Sequence, residues 1–202
     1  IGIGITTYNR PAMAAECLAN IRKHTDMRDV VIHIAEDTDR QRKGVAYRKN
    51  QCLRALKDCD RVFLFDDDCS PIKTGWVDFF IYSGHEHLLF LNDKLHNPKG
   101  GGWFKDCGGV FMYMKKSAIE RVGAFDERFG LWGFEHCDYS RRIFGEHGNY
   151  PCLNGTDQYL FAHDYSTPNH KSSITDEEKN THVRNNWYKF FNQKIENIYI
   201  PL

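Results

Sequence analysis

Three adjacent carboxylates follow a strongly apolar segment near the middle of the first half of the chain. Residues 61–65 read RVFLF and lead directly into Asp66, Asp67 and Asp68. Carboxylates in one turn repel one another, and partial removal from water raises that cost unless a cation or several donors compensate. Alternate side chains of an extended segment point the same way, so Asp66 and Asp68 are the natural pair for one ion. Oxygen ligands suit magnesium, manganese or calcium, although a hydrated aspartate-rich turn explains the pattern equally well.

Strand and helix patterns alternate around these aspartates. Strands are predicted at residues 1–7, 30–37 and 61–65, and amphipathic helices follow Pro11 and Val45. This alternation predicts parallel strands with helical crossovers, a sheet covered on both faces, and ligands at the carboxyl ends of the strands. Asn9, a predicted cap of the first helix, lies at such an end, as do Asp37 and the three aspartates.

The second half of the chain carries weaker strand patterns and three helical ones. Strands are predicted at residues 87–92, 109–114 and 158–163, and helices at 117–123, at 132–144 and from 175 towards 191. Ser117 with Glu120 and Thr175 with Glu178 have the spacing of capping boxes, and Gly123 is a helix stop.

Bulk properties indicate one folded domain. The chain has 202 residues, and its 27 acidic and 27 basic side chains balance, so net charge gives no sign of nucleic-acid binding. A local basic cluster, which includes Arg48 and Lys49, could contact nucleic acid, but it fits a solvated helix face equally well. Seven cysteines without a CxxC pair favour reduced thiols in a cytoplasmic protein. We find neither a signal peptide nor an apolar run of roughly 18 residues that would span a membrane.

Five blocks, in this order, resemble glycosyltransferase family 2 and related GT-A enzymes. The resemblance covers residue 1 to about residue 163, and its blocks read ITTYNRP, KGVAYRKN, VFLFDDDCSP, GGVFMYMKKSAIERVGAFDERF and GLWGFEHCDYSRRI. It implies an α/β GT-A fold, with a Rossmann-like, mixed but mostly parallel sheet flanked by helices. We expect a single domain over residues 1–202, divided into a nucleotide-binding half (1–95), an acceptor and sugar half (96–170) and a C-terminal loop and helix (171–202).

The resemblance also implies a metal site and a donor. Asp66 and Asp68 would hold Mn²⁺ or Mg²⁺ on the diphosphate of a nucleotide-sugar, usually a UDP-sugar, and His163 would be the third ligand. Asp67 would face the nucleotide ribose or only support the loop. For His163, the alternative from the residues alone is a hydrogen-bonded edge histidine.

Further positions correspond to donor-binding segments of the family. Those for the nucleotide are Thr6, Tyr8, Arg10, Asp37 and Arg48, and those for the donor sugar are Trp103, Asp106, Gly108 and Gly109. Tyr8 could stack on a uracil or simply pack, a helical arginine is usually solvated, and a tryptophan is often a core residue. Trp132 is a second aromatic candidate for a sugar platform.

The acceptor side departs from the inverting pattern. Inverting relatives carry Glu-Asp where this chain has Glu135-His136. Histidine has a suitable pKa for a general base, and Glu135 could also serve. We predict inversion because the surrounding segments GAFDERF and CDYSRR resemble family 2 more closely. Retention is the alternative, because the retaining polypeptide GalNAc-transferases have Glu-Asn at this place.

The sequence therefore predicts a metal-dependent hexosyl- or N-acetylhexosaminyltransferase. Its acceptor hydroxyl would belong to a carbohydrate, a protein or a modified nucleic-acid base. A phosphoesterase would want further ligands for a second ion, and these are missing near the first strand. A catalytically silent nucleotide-sugar-binding domain is a third hypothesis, favoured only by the Glu135-His136 departure.

Overall fold

The computed structural model describes residues 1–91, 107–145, 151–163, 175–193 and 198–202. Its strands are β1 (Gly2–Tyr8), β2 (Val31–Asp37), β3 (Arg61–Asp66), β4 (Cys69–Pro71), β5 (His87–Leu91), β6 (Cys107–Lys115) and β7 (Leu160–Ala162). Its helices are α1 (Pro11–His24), α2 (Val45–Ala55), α3 (Trp76–Ile81), α4 (Lys116–Val122), α5 (Glu135–Phe144) and α6 (Asp176–Asn192).

The main sheet is mixed and mostly parallel, as predicted. Its five strands run in the order β2-β1-β3-β6-β5, with β1 parallel to both β2 and β3, and β6 antiparallel to both of its neighbours. The register pairs Thr6 with Asp66 and Tyr8 with Asp37. The carboxyl ends of the three parallel strands are therefore level, and their polar residues meet at one edge.

Both faces of this sheet are covered. One face packs against α2, α4 and α5 through residues such as Leu53 and Tyr139, and the other against α1 and α3 through residues such as Ile21 and Trp76. Burying each large apolar side chain contributes about 1.5–3 kcal/mol. Within the described part of this sheet, the edge strand β2 leaves apolar side chains half exposed, at Val31 among others. The covered sheet holds the strand ends rigidly in place.

A second, two-stranded sheet continues beyond the aspartates. β4 pairs with β7 in antiparallel register, with Cys69 opposite Ala162. The backbone N–H of His163 then donates to the carbonyl of Asp68 at 2.9 Å. This pairing explains how a residue late in the chain comes to lie beside the aspartates.

Two predicted helix caps are wrong, and one is confirmed. Asn9 does not cap α1, because it takes a left-handed conformation with φ of 51° and its N–H donates to the Asp37 carbonyl. Ser117 lies inside α4, since β6 runs straight into the helix and Lys115 occupies the N-cap position. Thr175 does cap α6, accepting from the Glu178 N–H at 3.2 Å.

The helix stop is also confirmed, since Gly123 ends α4 with φ of 74°. The prediction of seven reduced thiols is wrong at two positions. Cys107 and Cys152 form a disulfide that joins the start of β6 to a segment 45 residues later, and such a long separation gives no local sequence signal. Among the described helices, none is both long and apolar enough to cross a bilayer.

Candidate functional site

A cavity of about 370 Å³ opens at the level carboxyl ends of β1, β2 and β3. Most of the predicted site residues line it, namely Thr6, Tyr8, Arg10, Asp37, Arg48, Asp66, Asp68, Gly108, Gly109, Glu135 and His136. Residues from six separate segments thus converge on one concave surface, which is the usual form of a small-molecule site.

The three aspartates divide as predicted, although β3 ends at Asp66 and the next two residues form a turn rather than an extended segment. Asp66 and Asp68 line the cavity, whereas Asp67 does not. The Asp67 carboxylate is buried beneath the loop and accepts from Thr7 Oγ1 at 2.6 Å and from the Arg10 guanidinium. In this geometry Asp67 supports the loop, which is the second of its two predicted roles.

The paired carboxylates suit a cation. Burial, and then the charge of Asp66, raise the pKa of Asp68 to about 6, although Arg10, 3.5 Å away, acts in the opposite direction. Asp66 Oδ1 accepts from Thr6 Oγ1 at 2.7 Å. The two acids are therefore held close enough to repel each other, and a divalent cation bound by both would relieve that repulsion.

The third ligand stays a prediction. Within the described part of the chain, no three His, Cys, Asp or Glu side chains form a ready-made metal group. His163 lies next to Asp68 through its backbone, and its ring contacts that of Phe161 at 4.9 Å. The donor chemistry fits Mn²⁺ or Mg²⁺, with Asp66 and Asp68 as the residues that would hold the ion.

At the β2 end, Asp37 organises the cavity wall. Its carboxylate accepts from the N–H groups of Lys43 and Gly44 and from Arg48 Nη2 at 2.8 Å. Burial alone would raise the pKa of Asp37, but these donors outweigh it and lower the pKa. Arg48 also donates to the carbonyl of Gln41. Arg48 is therefore buried and paired, so its interpretation as a solvated helical arginine is wrong.

Tyr8 is engaged on both its ring and its hydroxyl. The Arg42 guanidinium lies 5.0 Å from the ring centroid, and the hydroxyl donates to Asp39 Oδ1 at 2.6 Å. Arg42 in turn pairs with Glu178 of α6 at 2.7 Å. Any nucleobase that stacks on Tyr8 would meet this arginine, which also lines the cavity.

The C-terminal helix α6 forms one wall of the cavity. Lys179 and Val183 line it, and the buried Asn186 fastens the helix to the opposite loop. Asn186 Nδ2 lies 2.7, 2.8 and 2.9 Å from the carbonyl oxygens of Phe129, Trp132 and Gly133. The predicted division placed residues 171–202 outside the two functional halves, yet this helix contributes directly to the site.

Glu135 and His136 begin α5 and face the cavity. Phe134 precedes them with φ of 68°, an uncommon conformation for a bulky residue, and this turn starts the helix at the cavity wall. His136 Nδ1 lies 3.5 Å from Glu135 Oε1, and Nε2 lies 3.3 Å from Cys137 Sγ. Both ring nitrogens of His136 therefore have partners within the helix start.

These contacts make the pair ionic. Burial would lower the pKa of His136, but its contacts with Cys137 and Glu135 outweigh burial and raise the pKa well above 6.5. Burial would raise the pKa of Glu135, but Lys49 and His136 hold it well below its usual range. The two shifts favour a protonated imidazole beside an ionised carboxylate, and both weaken these groups as proton acceptors.

Several lining residues were not predicted as site residues. They include Arg42, Val45, Leu131, Phe134, Lys179 and Val183, of which Val45, Leu131 and Phe134 lie within the resembling blocks. Trp132, the second aromatic candidate, also lines the cavity. Lys49, which lies just behind the wall, did carry a signal, since it occupies the i+4 place in the apolar stripe of Val45, Cys52 and Leu56. The predicted Trp103 and Asp106 lie outside the described residues.

No protein-family model matches the chain, and no curated protein matches it in sequence. Solved structures do match. A mannosyltransferase from Pyrobaculum calidifontis, solved with GDP-Man and Mn²⁺, has 13% identity and a TM-score of 0.58, over 77% of this chain and 55% of that one. This chain thus spans about half the length of that enzyme.

Two further structures cover more of both chains. The Drosophila β-1,4-galactosyltransferase 7, solved with manganese, UDP-Gal and xylobiose, has 16% identity and a TM-score of 0.56, over 90% of this chain and 79% of that one. TarS from S. aureus, solved with UDP, has 13% identity and a TM-score of 0.58, over 97% of this chain and 67% of that one. At such low identity the likeness concerns the fold, and the chain has the α/β fold of GT-A glycosyltransferases.

Proposed function

We propose that this protein transfers a sugar from a nucleotide-sugar, in the first place a UDP-sugar, to an acceptor hydroxyl. One observation carries the proposal: a single cavity joins the paired carboxylates Asp66 and Asp68 to the acceptor-side pair Glu135 and His136. Mn²⁺ or Mg²⁺ held by the aspartates, with His163 as third ligand, would stabilise the negative charge of the leaving diphosphate.

The charges of the cavity wall suit such a donor. Arg10, Arg42 and Lys179 supply cationic groups from three separate segments. A diphosphate carries its negative charge on several oxygens, and arginine donors match them well. The ligands in the similar folds, GDP-Man and UDP-Gal with manganese, support the same class of donor.

The electrostatics of Glu135 and His136 bear on the stereochemistry. Inversion needs a side-chain base beside the acceptor, but the pKa of His136 is raised and that of Glu135 is lowered. Neither residue accepts a proton readily in that state. We therefore favour the retaining alternative, in which the leaving diphosphate takes the proton of the acceptor hydroxyl on the face it departs from.

The experiment uses the wild-type chain with UDP- and GDP-hexoses and UDP-N-acetylhexosamines, Mn²⁺, and release of the nucleotide diphosphate as the readout. EDTA should abolish release, and Asp66→Asn should reduce it by at least about 10²-fold because it removes a ligand charge. Asp60→Asn, at the exposed start of β3, is the matched control and should retain activity.

Each competing hypothesis has its own result. A chain that binds the donor but releases no nucleotide diphosphate would be a silent binding domain. This result must hold in water alone and with carbohydrate, protein and modified-base acceptors. Hydrolysis of simple phosphate esters would indicate a phosphoesterase. NMR of the anomeric proton in the first product decides stereochemistry, and an inverted product would reject the retaining route.

A further inference from the structure

Lys49 is a fully buried cation between the two functional pairs of the cavity. Its Nζ lies 2.9 Å from the Gly109 carbonyl, 3.1 Å from Glu135 Oε1 and 3.7 Å from Asp66 Oδ1. Its side chain reaches there from α2, which packs on the same face of the sheet as α5. One ammonium therefore bridges a carboxylate of the proposed metal site and a carboxylate of the acceptor side.

Such a lysine has a specific electrostatic effect. A buried ammonium is costly unless anions compensate it, and here Glu135 provides the closest compensation. Glu135 is itself buried, so without Lys49 its negative charge would be balanced only by the His136 ring, whose Nδ1 lies 3.5 Å away. Lys49 thus decides how much negative charge a divalent cation meets at Asp66 and Asp68.

We propose that Lys49 is a positioning residue for the transfer reaction, which holds Glu135 in place and confines the divalent cation to the aspartate pair by neutralising Glu135. This inference rests on the proposed function. The residue acts through its two carboxylate partners, and the contact with Gly109 adds the donor-sugar segment to the same network.

Asp66 keeps a second anchor when Lys49 is lost. The Thr6 hydroxyl holds the same oxygen at 2.7 Å, independently of the lysine. Removing the ammonium should therefore change the local charge more than the position of Asp66. At a separation of about 6 Å, and taking a water-like dielectric constant of about 80 in the open cavity, removing one positive charge should tighten Mn²⁺ binding by about tenfold.

The test compares Mn²⁺ affinity and turnover in Lys49→Met, in Lys49→Met/Glu135→Gln and in the control Lys57→Met, whose lysine is exposed just beyond α2. Electron paramagnetic resonance of free Mn²⁺ measures affinity without any donor. Lys49→Met should bind Mn²⁺ about tenfold more tightly yet turn over at least about tenfold more slowly, whereas the double variant should bind within about threefold of wild type, because its charge balance is restored.

Other results overturn the proposal. A folded Lys49→Met with unchanged or weaker Mn²⁺ binding excludes the charge effect, as does a double variant that binds about tenfold more tightly. If Lys49→Met fails to fold, the double variant decides alone, and wild-type turnover in it refutes positioning. A wild-type chain that binds no Mn²⁺ removes the premise. A wild-type chain that binds Mn²⁺ but uses no donor refutes the proposed function, while the Mn²⁺ comparison still decides the role of Lys49.

Discussion

Asn186→Ala should detach the C-terminal helix from the cavity. The buried Asn186 amide offers two N–H groups to three backbone carbonyls of residues 129–133, all within 2.9 Å. A net hydrogen bond contributes about 1 kcal/mol, and each buried carbonyl left without a donor costs about 1–3 kcal/mol. Since two protons are shared among three acceptors, we expect a loss of about 3 kcal/mol in the free energy of unfolding.

Asn185→Ala is a matched control, because Asn185 is the exposed neighbour on the same helix. It should change stability by less than about 0.5 kcal/mol. Urea unfolding followed by circular dichroism measures both variants. Hydrogen exchange should show that α6 loses protection before α2 does, and Mn²⁺-dependent donor binding should weaken because Lys179 and Val183 leave the wall. Equal stability of the two variants, within about 0.5 kcal/mol, would refute the reasoning.

Three further predictions test other parts of the structure. Gly44→Ala should lower the free energy of unfolding by more than about 3 kcal/mol, because Gly44 has φ of 95° and a Cβ there would lie 2.3 Å from a backbone oxygen. Gly84→Ala, at a residue with φ of 79° and open space around it, should lower it by only about 1 kcal/mol in the same urea assay. Equal losses in the two variants would contradict the contact argument. Gly109→Ala should cost about 1–3 kcal/mol and reduce turnover, because the new Cβ would lie 2.5 Å from the His136 ring; a variant with wild-type kinetics would show that the ring position is unimportant. Burial lowers the pKa of His87 to about 4, so the unfolded chain binds a proton at this histidine first as pH falls below 6.5. Up to about 3 kcal/mol of stability should therefore be lost between pH 6.5 and 4. Urea titrations at several pH values should show this loss in the wild type and not in His87→Phe.

Local patterns foretold the parts of the site that depend on one segment. The alternation of side chains along an extended strand separated Asp67 from Asp66 and Asp68, and the cavity lining shows the same division. Thr175 and Glu178 predicted the start of α6 because a cap involves residues only three apart. Ser117 and Glu120 had the same spacing and failed, because β6 continues directly into α4 and takes the place of the cap.

Charged side chains were harder to interpret from spacing alone. Arg48 and Lys49 fitted a solvated face, yet both are buried. Arg48 pairs with Asp37 on β2, which is 11 residues away in sequence. Lys49 pairs with Asp66 on β3 and Glu135 on α5, which are 17 and 86 residues away. A buried charge is stable only when such a partner is present, and the partner is not visible in the helix that carries the lysine.

The sequence by itself determined the alternation of the first three strands with the first two helices and the paired carboxylates, because these follow from periodicity and from neighbours along the chain. Only the tertiary structure decided that α6 closes the cavity, that Cys107 meets Cys152, and that Lys49 lies between Asp66 and Glu135. Those features depend on contacts between distant segments, and one of them, Lys49 beside Glu135, lowers the pKa of that carboxyl.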